Sequence, residues 1–182
     1  MRFARVGETM VELMNQRLRP CREGDEHLVI EAIEESRAEI APFAPWCHPD
    51  YSIDDARKWV VMQLVSQSLN AISEFLIVSD DGTLLGACGL NDVDPLNRRA
   101  NLGYWVRTSM CGRGVATTAV RELVSWAFAS SDLERPEVLV SVRNAASLRV
   151  AEKAGAVREG TLRRRLRLHG ENHDVAVFSF VR

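Results

Sequence analysis

The spacing of apolar and polar positions along this chain changes period several times, and each change marks an element. Leu13 to Pro20 reads as a first strand stopped by proline. Leu28, Val29, Ala32 and Ile33 then fall on one helical face behind Asp25, a capping residue type, and this helix should end before Pro42 and Pro45. Ser52, with Asp55 three residues on, resembles a capping box and opens a second helix with Ala56, Trp59, Val60 and Leu64 inward. The pattern then shortens. Phe75 to Val78 and Thr83 to Leu90 are apolar runs joined by Asp80-Asp81-Gly82, the chemistry of a tight hairpin, and a third strand, Ala100 to Arg107, follows the turn at Asp94 to Asn97.

Helical spacing returns from Gly114 to Phe128, with Val115, Ala119, Leu123, Trp126 and Ala127 on one stripe. Strand Glu137 to Val142 leads to a helix over Ala145 to Ala154, closed by Gly155, and strands Ala156 to Leu168 and His173 to Phe180 complete the chain. The order β-α-α-β-β-β-α-β-α-β-β predicts an α/β fold, a mixed and mostly antiparallel twisted sheet of about seven strands flanked by about four helices. A length of 182 residues suits one core, so residues 12–182 are expected to form a single domain, with residues 1–11 as an N-terminal arm.

Composition narrows the class. Hydrophobic residues at 46% and charged residues at 26% exclude disordered and fibrous readings, and a net charge of −2 supplies no field toward nucleic acid or an anionic membrane. The four cysteines are far apart with no Cys-x-x-Cys, which supports neither a metal site nor a disulfide framework. With no apolar leader or spanning run, the expectation is a soluble, cytoplasmic protein. The charge is unevenly spread. Ten carboxylates stand between Glu23 and Asp55 against Arg37 alone, whereas the last 25 residues hold six arginines, among them Arg163, Arg165 and Arg167 on what should be an exposed strand face.

The segment Tyr104-Trp105-Val106 to Cys111-Gly112-Arg113-Gly114-Val115-Ala116-Thr117 carries candidate chemistry. A strand running through a glycine loop into a helix aims unpaired N–H groups and the positive end of the helix dipole at one spot, which suits a pyrophosphate. Glycine in such a turn also serves geometry alone. Further on, Asn144 and Ser147 open the next helix, where either residue type caps well, and Lys153-Ala154-Gly155, Glu159-Gly160 and His173-Asp174-Val175 follow.

Taken jointly with Gly103-Tyr104-Trp105, these motifs resemble the GNAT acetyltransferases, in the branch of the ribosomal-protein N-terminal acetyltransferases RimJ and RimL, over Leu13 to Phe180. The resemblance implies acetyl-CoA as donor, bound by Tyr104, Trp105, Val106 and the loop Cys111 to Thr117. It also implies Asn144 on the pantetheine arm and Ser147 beside the sulfur, with no metal. It implies transfer to a primary amine, most plausibly an α-amine of a protein or peptide N-terminus or an aminoacyl compound, by direct attack in a ternary complex. A polyamine or other small amine is the alternative acceptor, and a catalytically weak CoA-binding regulatory module is the alternative of another class. Direct nucleic-acid or membrane contact is not expected, and a homodimer is compatible with this reading.

Some positions depart from the family pattern. Cys111 stands where Gln or Arg usually opens the glycine motif, and a thiol near a helix N-terminus can have a lowered pKa. Asn101 and Leu166 stand where carboxylates are expected, and neither can accept a proton. His48, Asp92 and Asp94 are the substitutes considered, with Phe43, Trp46, His48 and Asn101 expected along the acceptor cleft. The acidic segment would form a lip attractive to cationic acceptors.

Overall fold

A computed structural model describes residues 16–69, 71 and 74–182. The expected arm over residues 1–11 and the start of the first strand, residues 13–15, lie outside them. One seven-stranded sheet has the order β1-β2-β3-β4-β5-β7-β6, built from β1 (Gln16–Arg19), β2 (Glu74–Ser79), β3 (Leu84–Asp94), β4 (Arg99–Val106), β5 (Arg135–Ser141), β6 (Val157–Leu168) and β7 (Glu171–Ser179). The helices are α1 (Glu26–Ile40), α2 (Ile53–Ser68), α3 (Val115–Ser130) and α4 (Ala145–Ala154), with a 3-10 turn at Thr108–Met110. Every neighbouring pair of strands is antiparallel except β4 and β5.

The period-2 pattern sorts the core into two layers. Phe75, Ile77, Cys88, Leu90 and Leu102 turn to the face covered by Ala119, Leu123 and Ala127 of α3 and Ala151 of α4. Leu76, Val78, Leu84 and Ala87 turn to the other face, under Val29, Ala32 and Ile33 of α1 and Ala56 of α2. Strand β3 runs four residues past the apolar run that predicts it, because its polar end still pairs with β4 through Asn91 and Asp94. For the same reason β7 begins at Glu171, opposite Leu168.

Two local expectations are revised. Asp25 sits at the N-cap of α1 without its side chain capping the helix, because its carboxylate is taken by the Arg19 guanidinium at 2.7 Å and by the Arg22 N–H at 2.6 Å. On α2 the buried positions are Ala56, Val60 and Gln63, with Leu64 only half-buried. The Ser52 box does form: Asp55 accepts from the Ser52 N–H at 3.0 Å and from its hydroxyl at 2.8 Å.

The acidic row on α1 holds the chain that leaves β4. Glu31, Glu35 and Glu39 recur every four residues, so they share one helix face. Arg107, only 8% exposed, meets Glu31 at 2.5 Å and Glu35 at 2.8 Å. The Ser109 N–H donates to Glu35 at 2.8 Å and the Thr108 hydroxyl to Glu39 at 2.9 Å, while the Thr108 N–H donates to the fully buried Ser36 hydroxyl at 2.9 Å. Glu31, Glu35 and Glu39, three of the ten carboxylates expected at a lip for cationic acceptors, therefore form a clamp on the loop.

Two predictions follow from these contacts. Ser36→Ala strands a buried N–H, which should cost about 1–3 kcal/mol in urea denaturation and accelerate hydrogen exchange at Thr108 and Ser109; unchanged exchange there would refute the clamp. On α3, Glu122 is 6% exposed, neither carboxylate oxygen has a partner among the described residues, and burial pushes its pKa up to about 7. The native state then holds a proton that the unfolded chain releases, so stability is full at acid pH, is lost as pH rises from the ordinary carboxylate range through about 7, and is flat above. Glu122→Gln should therefore raise stability at pH 8 by on the order of 1–3 kcal/mol and change it little at pH 4, measured by urea titration at both values.

Candidate active site

Strands β4 and β5 pair in parallel only over Arg99 to Asn101 against Arg135 to Glu137, after which β5 continues along β7 alone. The strands part, and a gap opens between them. The Arg107 N–H donates to Leu85 O at 2.8 Å, and bonding direction alternates along an antiparallel ladder. The main-chain groups of Gly103 and Trp105 accordingly face β3, and those of Tyr104 and Val106 face the gap.

One side-chain contact crosses it. The Tyr104 hydroxyl lies 2.9 Å from the Ser147 hydroxyl and donates to the Ser147 carbonyl at 3.1 Å. Burial pushes the Tyr104 phenol up to about 12, so it stays protonated and able to donate. Asn144 is the N-cap of α4, its side-chain oxygen accepting from the Ser147 N–H at 3.0 Å. The cap uses that oxygen and leaves the Asn144 amide NH₂ as a donor. The capping reading of Asn144 holds, and it leaves the amide nitrogen unused by the cap.

The glycine loop occupies the N-terminal end of α3. Gly112 and Gly114 have φ of +77° and +87°, the left-handed region that favours glycine, and Gly114 is the N-cap. A Cβ on either would meet nothing within 4 Å, so these glycines serve backbone conformation and access from outside, not packing within the chain. The N–H groups of Val115, Ala116 and Thr117 begin the helix and have no acceptor one turn back. Arg113 is exposed with no ion pair among the described residues, and Val115 is buried. A cavity of about 310 Å³ adjoins this loop, lined by Gln16, Thr83, Leu85, Arg113 and Thr118 among others, but it does not include Tyr104, Asn144 or Ser147 and is separate from the gap.

Cys111 is exposed, and its thiol is pushed up by burial and by Glu39 and Glu35, opposite to the lowering that a helix N-terminus would give. The helix begins four residues beyond it, and the carboxylates of α1 act on the thiol instead.

On the α1 and α2 side of the sheet, Trp46 is 45% exposed and stacks near Tyr51 at 5.9 Å and Trp105 at 6.3 Å. Phe43 is half-buried on the same loop, which the Arg37 guanidinium holds through the carbonyls of His48, Pro49 and Tyr51. His48 is exposed and lies 4.0 Å from Asp55, at the start of α2. Asn101 donates to Asn91 at 2.8 Å, and its own side-chain oxygen is buried without a partner among the described residues. Leu166 pairs with His173, and Asp94 is spent closing its turn through Asn97. The residues that sequence reading missed are Ser36, Glu31, Glu35, Glu39 and Arg107. The four-residue spacing of the three acids was visible, but nothing in it named the loop they hold. Among the described residues no cluster suits a metal ion, and no helix is long and apolar enough to cross a membrane.

Comparison with known proteins matches this architecture. The family model described as acetyltransferase (GNAT) domain spans residues 16–157. The ribosomal-protein-serine acetyltransferase of Escherichia coli strain K12 is 30% identical over 128 residues, covering 70% of this chain and 71% of that protein. YdaF of Bacillus subtilis strain 168 is 29% identical over 160 residues, covering 87% and 86%. A solved structure of RimL, the ribosomal L7/L12 α-N-protein acetyltransferase, in complex with coenzyme A superposes with a TM-score of 0.85 at 22% identity, over 95% of this chain and 98% of that one. The parted strands, the glycine loop and these matches place the chain in the GNAT acetyltransferases, an N-acetyltransferase with RimJ/RimL-like relatives.

Proposed function

We propose that the protein transfers the acetyl group of acetyl-CoA to an α-amine, that of a protein or peptide N-terminus or an aminoacyl compound, in a ternary complex. The observation that carries this reading is the Tyr104 and Ser147 pair spanning the gap beside unpaired main-chain groups of β4. Acetyl-CoA supplies the activated acyl group as a thioester. The residues present fit it: the N–H groups of Val115, Ala116 and Thr117 with Arg113 suit the pyrophosphate, and the amide NH₂ of Asn144 suits the pantetheine arm. The Tyr104 N–H, facing the gap, would hold a developing oxyanion, and Ser147, hydrogen-bonded to a protonated phenol, would give its proton to the departing thiolate.

For the acceptor, the names of the E. coli relative and of RimL both specify protein acetylation, RimL at the α-amine. An amine attacks only when neutral. An α-amine of pKa ~7.7–8.0 is more than about a tenth neutral at pH 7, and a lysine-type amine at ~10.4 is neutral in roughly one molecule per few thousand.

The deciding experiment is a panel of amines with acetyl-CoA and thiol-release detection; an N-terminal serine or alanine peptide should exceed spermidine in kcat/KM at pH 7, and the reverse order would refute the α-amine assignment. Gly114→Asp places a strained residue and a negative charge at the anion site and should abolish acetyl-CoA binding in calorimetry. Ser147→Ala should keep acetyl-CoA affinity within a few-fold and lower kcat by about 10². If Ser147→Ala instead unfolds the protein while activity per folded molecule persists, the residue is a cap only.

A further inference from the structure

Glu74 opens β2 directly opposite Gly89 of β3. A Cβ on Gly89 would lie 2.2 Å from one Glu74 carboxylate oxygen and 2.6 Å from the other. The missing side chain is what lets the carboxylate lie over β3. Gly89 pairs in turn with Gly103 of β4, so the row from Glu74 to the parted edge is free of side chains. The nearest neighbour of that second opening is the Asn91 amide nitrogen, 3.4 Å from where a Gly103 Cβ would stand. With neighbouring strands ~4.8 Å apart, the carboxylate is roughly 5 Å from β4, the reach of one water. Asn101, on the same face, has its amide donating to Asn91 at 2.8 Å and puts no charge on this row.

Glu74 itself has no hydrogen bond or ion pair among the described residues, and burial pushes its pKa up to about 7. The titratable groups around it are the thiols of Cys21, just past β1, and Cys88 of β3, pushed up to about 12 and well above the ordinary thiol value respectively, so neither is charged. Gln67 of α2 bonds the Cys21 carbonyl and brings no charge, β4 offers Asn101, and Arg19 of β1 is engaged with Asp25. A half-buried acid with no structural partner contributes nothing to packing that a neutral residue would not.

We propose that Glu74 is the proton acceptor of the acetyl transfer, acting through water over the glycine row of β3 and β4; this rests on the acetyltransferase reading above. One proton of the acceptor ammonium passes through the water to the Glu74 carboxylate and on to solvent. The neutral nitrogen forms a bond to the acetyl carbon, the carbon–sulfur bond breaks with its electron pair going to sulfur, Ser147 gives its proton to the thiolate, and the second proton lost by the nitrogen restores the Ser147 hydroxyl. The carboxylate missing at Asn101 and Leu166 is thus supplied from β2. It also sharpens acceptor choice. Proton transfer to such a base costs an α-amine about tenfold or less, against about 10³-fold for a lysine-type amine.

The test uses the full chain with acetyl-CoA and an N-terminal serine peptide. For the unsubstituted protein kcat/KM should rise with an apparent midpoint near 7. Glu74→Gln should keep acetyl-CoA affinity within a few-fold, lower kcat at pH 7 by about 10² or more, and shift the rise to the amine's own titration. Glu74→Asp, which keeps a carboxylate, should recover part of the rate that Glu74→Gln loses. A readout independent of turnover is urea stability without acetyl-CoA: Glu74→Gln should gain on the unsubstituted protein between pH 5 and 8, because the raised carboxylate weakens the native state as it ionises. Equal kcat and an unchanged profile in Glu74→Gln, or a stability difference that ignores pH, would overturn the base and leave the acetyltransferase standing. Failure of the unsubstituted protein to acetylate any amine would overturn both.

Discussion

The parting of β4 from β5 is the constraint on which the rest of the molecule depends. A buried peptide group needs a partner, and a sheet satisfies that need by continuing its ladder. Here the ladder stops after three residue pairs, leaving the groups of Tyr104 and Val106 directed into a gap. Because the two strands are parallel, their C-terminal ends lie at the same edge, and each is followed by a helix: α3 after β4 and α4 after β5. The N-termini of both helices are thereby brought to the mouth of one gap, which gives unpaired main-chain donors on two sides of it. The tie from Tyr104 to Ser147 sets how far the two halves separate.

A gap of this kind is useful only if the loop that crosses its mouth holds its shape. The loop contains two glycines in left-handed conformations, which cost more ordering entropy than any other residue. Its first half is fixed from outside by α1. Arg107 is nearly buried, and a buried cation is tolerated only when paired and hydrogen-bonded, so the two carboxylates beside it are a requirement of its position. Their half-exposed state keeps the desolvation cost on the arginine side. Glu31 and Glu35 are therefore paired to Arg107 before any acceptor arrives.

The elements were legible in the sequence because local pattern decides them: helix α4 runs from Ala145 to Ala154 as its cap and closing glycine imply, and the Ser52 box opens α2. The strand ends were less so, since Asn91 to Asp94 and Glu171 join their strands through pairing with a neighbour and carry no apolar signal. Asn144, Ser147 and Tyr104 were legible as parts of one pattern and are joined by hydrogen bonds across the gap. What could not be read was the assignment of partners. Asp25 has the residue type of a helix cap, but a guanidinium six residues upstream competes for it and wins. Glu31, Glu35 and Glu39 read as a cationic attractor because a sequence gives the sign of a charge and not its neighbour.

Glu74 belongs to the same class of long-range information. An acid expected on β4 is recognised by its place in a motif, but the chemistry needs only an oxygen at a point in space. Two strands away, the same point is reached by a longer path: a glutamate on β2, a glycine opposite it on β3, and a second glycine on β4. The three residues are separated by up to twenty-nine positions in the chain and become one row only through antiparallel register. Each is unremarked alone, since a strand glycine reads as a weakness and an acid at a strand end as solvent-facing. Register converts the two absences of a side chain into a channel, and the channel is what gives the acid a direction.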